Sequence, residues 1–230
     1  MRIEIDTNTQ QLTLRDAGSQ TDLPLYSEAA FQAISKEYVR LGSALGHTNT
    51  FSWIGLPLPY LPEDMVSLQG VIYRLRPDVI LHAGVSGRGL LLFLAGLCRA
   101  MGSGRVEGVD RSITAETRAA LLKHAGSHQL RLSEVDPERP SGGGQEVLRT
   151  LLDPGASVFV IVNSANPKDL DFYSRWVTVG SHLLSLGPIP EEFLDSHPEF
   201  CRFELPPMIS GASLVKPLTL WNDCWLKRVA

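Results

Sequence analysis

A glycine-rich turn contains the residues whose chemistry is easiest to interpret. The turn has the spacing Gly84-x-x-Gly87-x-Gly89 and follows the apolar segment 79–83, and the next apolar segment ends at Asp110. Glycines let a backbone approach a ligand closely, and an acid at the end of the next strand can bind ribose hydroxyls. The pattern predicts a nucleotide-type cofactor pocket in which Gly84, Gly87, Gly89 and Asp110 contact the cofactor.

Two alternatives accompany this prediction. In the first, the glycines only pack a helix against a strand, and Asp110 caps a helix that begins near Thr114. In the second, the pocket holds a nicotinamide cofactor, but the dinucleotide fingerprint is G-x-G-x-x-G, which this spacing does not match. The looser turn of methyltransferases fits the spacing better.

The elements that must position these residues alternate regularly between strand and helix. Apolar runs predict five strands, and two more segments near the end of the chain are expected to be antiparallel strands. The five runs are 79–83, 105–109, 129–133, 157–162 and 181–186, and the two late segments lie within 200–205 and 218–229. The pattern predicts an α/β fold with a doubly wound, mostly parallel, Rossmann-like sheet.

A small N-terminal extension is predicted before this sheet. Alternating residues over 2–16 indicate a hairpin, and a helix is expected from Ser27, which acts as its N-cap. The apolar residues of this helix are spaced for one face, namely Phe31, Ile34, Tyr38 and Leu41. We therefore divide the chain into an extension, 1–50, and an α/β domain, 51–230.

Composition excludes several classes of function. The 230 residues have a net charge of −4, which gives no reason to expect nucleic acid or an anionic membrane as partner. The longest apolar run, 90–97, is too short to span a bilayer, and the charged start of the chain does not resemble a signal peptide. Three scattered cysteines, at positions 98, 201 and 224, favour a reducing, cytoplasmic location over a disulfide framework or zinc site.

Several longer segments resemble one family, the cephalosporin hydroxylase / rhamnosyl O-methyltransferase family. They are 51–55 (FSWIG), 61–65 (LPEDM), 71–80 (VIYRLRPDVI), 102–110 (GSGRVEGVD) and 225–228 (WLKR). The resemblance covers nearly the whole chain, the N-terminal hairpin included. It implies a class I methyltransferase fold, S-adenosylmethionine (SAM) as cofactor and a small-molecule acceptor such as a sugar or natural product. It also implies a divalent metal such as Mg²⁺ in many members.

The chain departs from the family pattern first at His82. The family has an acid at this position of the cofactor site, which helps to hold the charged amine of SAM. A neutral imidazole cannot supply that negative charge, and a protonated one would repel an ammonium group. The alternative is that His82 is a buried strand residue with no role at the cofactor.

Two further departures from the family pattern concern the metal site and the loop that covers the active site. Asn163 stands where the family has Asp, and Ala165 and Asn166 replace other polar residues, so we do not expect Mg²⁺. Asn163 is then expected beside the cofactor, or with Asn166 in hydrogen bonds of the turn into Pro167. After Leu186 the family has further acids and a long covering loop, whereas this chain runs almost directly into Glu191.

Two functional hypotheses follow. The first is a SAM-dependent O-methyltransferase that needs no metal, with the small-molecule acceptor near Asn163 and Asn166. The second is a catalytically inactive relative that serves as a binding or scaffolding subunit. Such a chain would form a homo-oligomer or pair with an active homologue.

Overall fold

The chain is described by a computed structural model, which covers residues 1–138, 143–164, 166–205 and 218–230. It contains twelve strands and seven helices in these residues, and two short 3-10 helices, His47–Thr50 and Ala125–Gln129. The strands are β1 Arg2–Asp6, β2 Gln11–Asp16, β3 Ser19–Pro24, β4 Ser52–Trp53, β5 Leu56–Pro57, β6 Val79–Ala83, β7 Arg105–Asp110, β8 Leu130–Glu134, β9 Val158–Val162, β10 His182–Ser185, β11 Phe200–Arg202 and β12 Trp225–Arg228. The helices are α1 Glu28–Ala44, α2 Pro62–Leu75, α3 Arg88–Met101, α4 Ala115–Leu122, α5 Gly143–Leu151, α6 Pro167–Ser174 and α7 Glu191–Ser196.

The predicted sheet is confirmed, with seven strands in the order β11-β12-β10-β9-β6-β7-β8. Strands β6 to β10 are parallel to their neighbours in this group, and β12 runs antiparallel to both β10 and β11. The chain leaves β6 toward β7 and β8, then returns to the other side of β6 at β9. The carboxyl ends of β6 and β9 therefore form the topological switch point, where open α/β sheets bind ligands.

The sheet is central because its strands bury both faces. One apolar layer contains Ile80, Phe159 and Ile161 together with side chains of α2 and α3. The opposite layer contains Leu81 and Val160 together with side chains of α5 and α6. This two-sided burial explains the nearly continuous apolar runs of β6 and β9.

Strands β6 and β9 are also tied together at their amino ends. The Asp78 carboxylate accepts hydrogen bonds from the Ser157 backbone N–H, at 2.8 Å, and from its hydroxyl, at 2.9 Å. These bonds and the ladder between the strands fix the register that brings Ala83 opposite Val162. The relative position of the two carboxyl ends follows from this register.

The N-terminal extension has one more strand than its pattern predicts, and the apolar face of its helix is exposed. The predicted hairpin is present as β1 and β2, and β3 adds a third antiparallel strand. Ser27 caps α1 as predicted, since its hydroxyl accepts a hydrogen bond from the Ala30 N–H. However, the apolar face of α1 is exposed to solvent, whereas such a stripe normally faces a core. The division into segments 1–50 and 51–230 stays a prediction.

The start of α3 is covered closely by the β4–β5 hairpin. A Cβ atom at Gly89 would lie 2.3 Å from the Pro57 carbonyl oxygen and 2.9 Å from that of Leu56. These are backbone atoms, which cannot give way as a flexible side chain can. Packing alone therefore requires glycine at position 89. No helix in the described part of the chain is long and apolar enough to cross a membrane.

We predict that Gly89→Ala destabilises the protein by about 1–3 kcal/mol, because the added methyl group overpacks the α3–β5 contact. Gly96→Ala in the same helix is the matched control, since nothing lies within 4 Å of a Cβ atom there. That substitution should stabilise the protein by about 0.5–1 kcal/mol through helix propensity. Urea denaturation measures both changes, and equal effects of the two variants would contradict the packing argument.

Candidate functional site

The glycine turn and the end of β9 meet at the switch point. Gly84 has φ +97°, and a Cβ atom there would lie 2.7 Å from the Asn163 carbonyl oxygen. Its N–H donates to the Val109 carbonyl oxygen at 2.7 Å, and the Asn163 N–H donates to that of Ala83 at 2.8 Å. Position 84 must be glycine because both the backbone angle and the space exclude a side chain.

Gly87 precedes α3 and faces the same region under looser packing. A Cβ atom there would be 3.6 Å from the Asn163 side-chain nitrogen and 3.8 Å from the Tyr60 hydroxyl, which are ordinary contact distances. Packing therefore does not require glycine at 87, unlike at 84 and 89. The cofactor roles of Gly84, Gly87 and Gly89 stay predictions, and for Gly89 the hairpin contact is a sufficient structural reason.

Asp110 lies at the end of β7 beside the glycine turn. One carboxylate oxygen accepts a hydrogen bond from the Val85 N–H at 2.9 Å, and the other accepts from the Arg111 N–H at 2.8 Å. An ionised carboxylate has about four acceptor sites, so each oxygen keeps capacity for another donor. The alternative capping role is wrong, because Thr114 caps α4 with its own hydroxyl, which accepts from the Thr117 N–H.

His82 is fully buried in β6, between Gly108 on β7 and Ile161 on β9. Burial lowers the pKa of its imidazole to about 4, so the side chain is neutral near pH 7. Neither ring nitrogen has a hydrogen-bond partner among the described residues. This environment favours the alternative in which His82 is a core residue, and its predicted cofactor contact stays untested.

A charged pair that the sequence analysis missed lies across the same edge of the sheet. The Arg111 guanidinium donates to both carboxylate oxygens of Asp169 in α6, at 3.1 and 2.7 Å. The Ser164 hydroxyl donates to the same carboxylate at 2.5 Å. Asp169 is buried and Arg111 is partly exposed. The pair joins the end of β7 to α6, which follows β9, and so it spans the end of β6 between these two strands.

Three of the predicted site residues, Gly84, Asp110 and Asn163, line one small cavity of about 90 Å³ together with the charged pair. Its lining consists of Ala83, Gly84, Ser86, Asp110, Arg111, Asn163, Ser164, Asp169 and Tyr173. Sites for small-molecule ligands usually measure about 300–1,000 Å³. The cavity is therefore smaller than a nucleoside needs, and Arg111 is one of the side chains that bound it. His82, Gly87 and Gly89 do not line it.

The residues after β9 carry polar groups but no acid cluster. The Asn166 side-chain oxygen accepts from the Lys168 N–H at 3.1 Å and caps α6, which is the predicted turn role. Ala165 lies outside the described residues. Within the described ranges, no group of three or more His, Cys, Asp or Glu side chains could hold a metal ion. After β10 the chain enters α7 through residues 186–190, as the short connection predicts.

The strand order, the switch-point turn and the strand-end acid together define a protein with the class I methyltransferase fold. Comparison with known families identifies the branch. The family model described as rhamnosyl O-methyltransferase/CmcI matches residues 46–199. The match covers more than half of the chain, so the chain belongs to the rhamnosyl O-methyltransferase/CmcI family. The N-terminal hairpin lies outside the match, so this match is narrower than the resemblance inferred from the sequence.

Solved structures of CmcI are similar to this chain. An apo structure of CmcI has 20% sequence identity and a TM-score of 0.55, over 79% of this chain and 77% of that chain. A structure of CmcI with Mg and SAM has 18% identity and a TM-score of 0.55, over 79% and 78% of the two chains. At these identities the likeness establishes the fold alone. No curated protein matches the sequence significantly.

The burial of His82 predicts a pH-dependent loss of stability. Its pKa falls from 6.5 to about 4 on folding, and each pKa unit is worth about 1.4 kcal/mol, which gives roughly 3 kcal/mol. The unfolded chain binds the proton first, so this stability is present above pH 6.5 and is lost as the pH falls toward 4. His82→Leu should flatten the fall in unfolding free energy over this range.

The measurement compares variants because other groups titrate in the same range. Burial raises the pKa of Asp64 in α2 to about 6, which favours the folded state at low pH and opposes the effect of His82. The control is His128→Ala, since the His128 side chain is exposed. If His82→Leu and His128→Ala keep the pH dependence of the original protein, His82 does not titrate as its burial requires.

We also predict that Arg111→Met destabilises the protein by about 1–3 kcal/mol, because it leaves the buried Asp169 carboxylate with Ser164 as its remaining side-chain donor. Arg175→Met is the matched control, since Arg175 pairs with Asp171 at 2.6 Å on the surface. Exposed pairs are worth about 0–1 kcal/mol, so this change should be small. Thermal unfolding measures both variants, and equal losses would contradict a special role for the pair.

Proposed function

We propose that this chain is a SAM-dependent O-methyltransferase that acts on a hydroxyl group of a small molecule, such as a sugar or natural product, without a metal ion. The observation that carries the proposal is the position of Asp110. Its carboxylate lies beside the glycine turn at the switch point, with acceptor capacity left on both oxygens. A ribose diol presents two donors that match this capacity.

The residues around the turn fit one part of the cofactor better than the other. The partly exposed backbone at Gly84 and Gly87 suits close approach, and Asp110 would accept hydrogen bonds from the ribose. The amine end lacks its usual counter-charge, because His82 is neutral and buried. The chemistry that SAM supplies when bound is an electrophilic methyl group.

The metal-independent form of the proposal rests on the donor set. Asn163 offers a neutral amide where the family carries an acid, and a neutral amide is a poor ligand for a hard dication. Transfer to an acidic hydroxyl depends mainly on the alignment of nucleophile and methyl group, which binding can supply. Asn163 and Ser164 line the cavity and could orient the acceptor hydroxyl.

Arg111 determines whether the cofactor can enter. Its guanidinium lines the cavity of about 90 Å³ and is held there by Asp169. Binding of a nucleoside therefore requires Arg111 to leave Asp169. This step costs free energy because the buried Asp169 carboxylate loses its cationic partner, although it keeps the hydrogen bond from Ser164.

The same pair favours a second candidate, a non-catalytic member of the family that acts as a binding or scaffolding subunit. If Arg111 does not leave Asp169, the cleft stays closed to SAM. The neutral His82 points in the same direction, since it offers no negative charge to the amine of SAM. The three free cysteines fit a cytoplasmic location for either candidate.

Isothermal titration with SAM tests the two candidates. We expect saturable heat with the unaltered chain and an affinity about tenfold lower in Asp110→Asn, which corresponds to about 1.4 kcal/mol for one charged hydrogen bond. Lys168→Gln is the control, because Lys168 is exposed and does not line the cavity. A methyl-transfer assay with labelled SAM and sugar or phenolic acceptors should then give product that EDTA does not reduce.

Arg111→Ala separates the outcomes. Binding that appears only in this variant would support the closed, non-catalytic candidate. Heat indistinguishable from buffer in both the unaltered chain and Arg111→Ala would overturn SAM binding altogether. Product formation that EDTA abolishes would overturn the metal-independent form.

A further inference from the structure

Helix α1 presents a row of large apolar side chains to solvent. The row consists of Phe31, Ile34, Tyr38, Leu41 and Leu45, which are 44, 36, 46, 61 and 75% exposed. The intervals between them alternate between three and four residues, which is the spacing of the a and d positions of a coiled-coil seam. A helix that packed this row on its own domain would bury it.

The rest of the N-terminal extension offers no core to compensate. Within residues 1–50, all of which the structure describes, only Leu12 and Ala30 are buried. The strands β1 to β3 pair with one another, not with the large sheet. A segment with so little buried surface gains little stability from its own packing. Its regular structure is therefore best explained by a surface that covers α1.

The exposed row is large enough to form an interface with a copy of itself. Large side chains cover about 150–250 Å² each, so the exposed fractions correspond to roughly 500 Å² per copy. Two copies would bury about 1,000 Å², which is the lower limit for a specific interface. A second copy presents the same surface by necessity, and a two-fold axis makes such a surface self-complementary.

Charge and helix polarity favour an antiparallel pair. Glu28 lies at the start of α1, whereas Lys36 and Arg40 lie in its second half, and Arg40 pairs with Glu37 at 2.7 Å. Antiparallel helices bring opposite ends of their dipoles together. An axis near Lys36 places Phe31 opposite Leu41 of the second copy and Ile34 opposite Tyr38 of the second copy. Glu28 then lies opposite Ala44 of the second copy, four residues from Arg40 of that copy.

The His47 side chain packs against α1 beside the row, with its Cβ 3.5 Å from a Cβ atom built at Gly42. The Tyr38 hydroxyl is held by a hydrogen bond to the His47 ring at 3.1 Å, and that ring contacts Phe51 edge-on. The row is therefore fixed relative to the start of the segment that matches the family.

We propose that α1 pairs in antiparallel orientation with α1 of a second copy of this chain, so that the N-terminal extension is a dimerisation element. This proposal is independent of SAM binding. None of the row's residues line the cavity at the switch point.

Light scattering coupled to size exclusion tests the proposal on the full chain. The expected mass is twice the 25.2 kDa of one chain. Ile34→Glu/Leu41→Glu should give the monomer, because it places two charges in the seam. Ala29→Glu/Ser43→Glu adds the same charge at exposed positions away from the seam and should remain dimeric. A monomeric unaltered chain, or a seam variant that stays dimeric, would overturn the proposal.

Disulfide trapping keeps the test decisive if the glutamate variant fails to fold. In a Cys201→Ser background, Phe31→Cys/Leu41→Cys should form a covalent dimer on oxidation. Either cysteine alone should not, because each lies opposite the other position in an antiparallel pair. Efficient crosslinking by the single variants would indicate parallel pairing, and no crosslinking by the double variant would exclude the proposed contact.

Discussion

The contact between the glycine turn and the end of β9 is the constraint on which the candidate site depends. Gly84 and Asn163 lie in close contact where the chain crosses back over β6 on its way from β8 to β9. A side chain at position 84 would separate the two strand ends and displace everything built on them. The turn, the acid at the end of β7 and the start of α6 are held in place by this contact, whatever ligand they bind.

Electrostatics at the edge of the sheet differ from those expected of a family site. The neutral His82 supplies no negative charge, and the amide of Asn163 is a poor ligand for a hard dication. The charge that remains is arranged as a pair, with Arg111 neutralising Asp169 and Asp110 accepting two backbone hydrogen bonds. Much of the negative charge of Asp110 and Asp169 is thus already balanced by donors of the protein itself. In the proposed function, this arrangement would link cofactor affinity to the strength of an internal ion pair.

The fold could be predicted from the sequence because its signal is local. Buried parallel strands require continuous apolar runs, and the runs at β6 and β9 are unambiguous. Helix starts carry their own caps, as at Ser27. Asp110 was found in the same way, since an acid at a strand end is a short-range pattern.

The features that were missed depend on distant partners. Arg111 and Asp169 are 58 positions apart, and neither stands in a motif that indicates the other. Asp169 also satisfies a simpler explanation, as an acid in the first turn of α6. The periodicity of α1 correctly indicated an apolar face, but periodicity does not reveal whether that face meets a core or solvent. The need for glycine at 89 likewise comes from a hairpin 32 positions earlier, at Pro57.

The Asp78–Ser157 bonds at the amino ends of β6 and β9 have a mechanical consequence. Together with the contact at Gly84 they clamp the two central strands at both ends. The two central strands are therefore held at a fixed separation, and the cleft cannot widen by moving them apart. Opening of the cleft must instead separate Arg111 from Asp169 in α6, while the central strands stay in place.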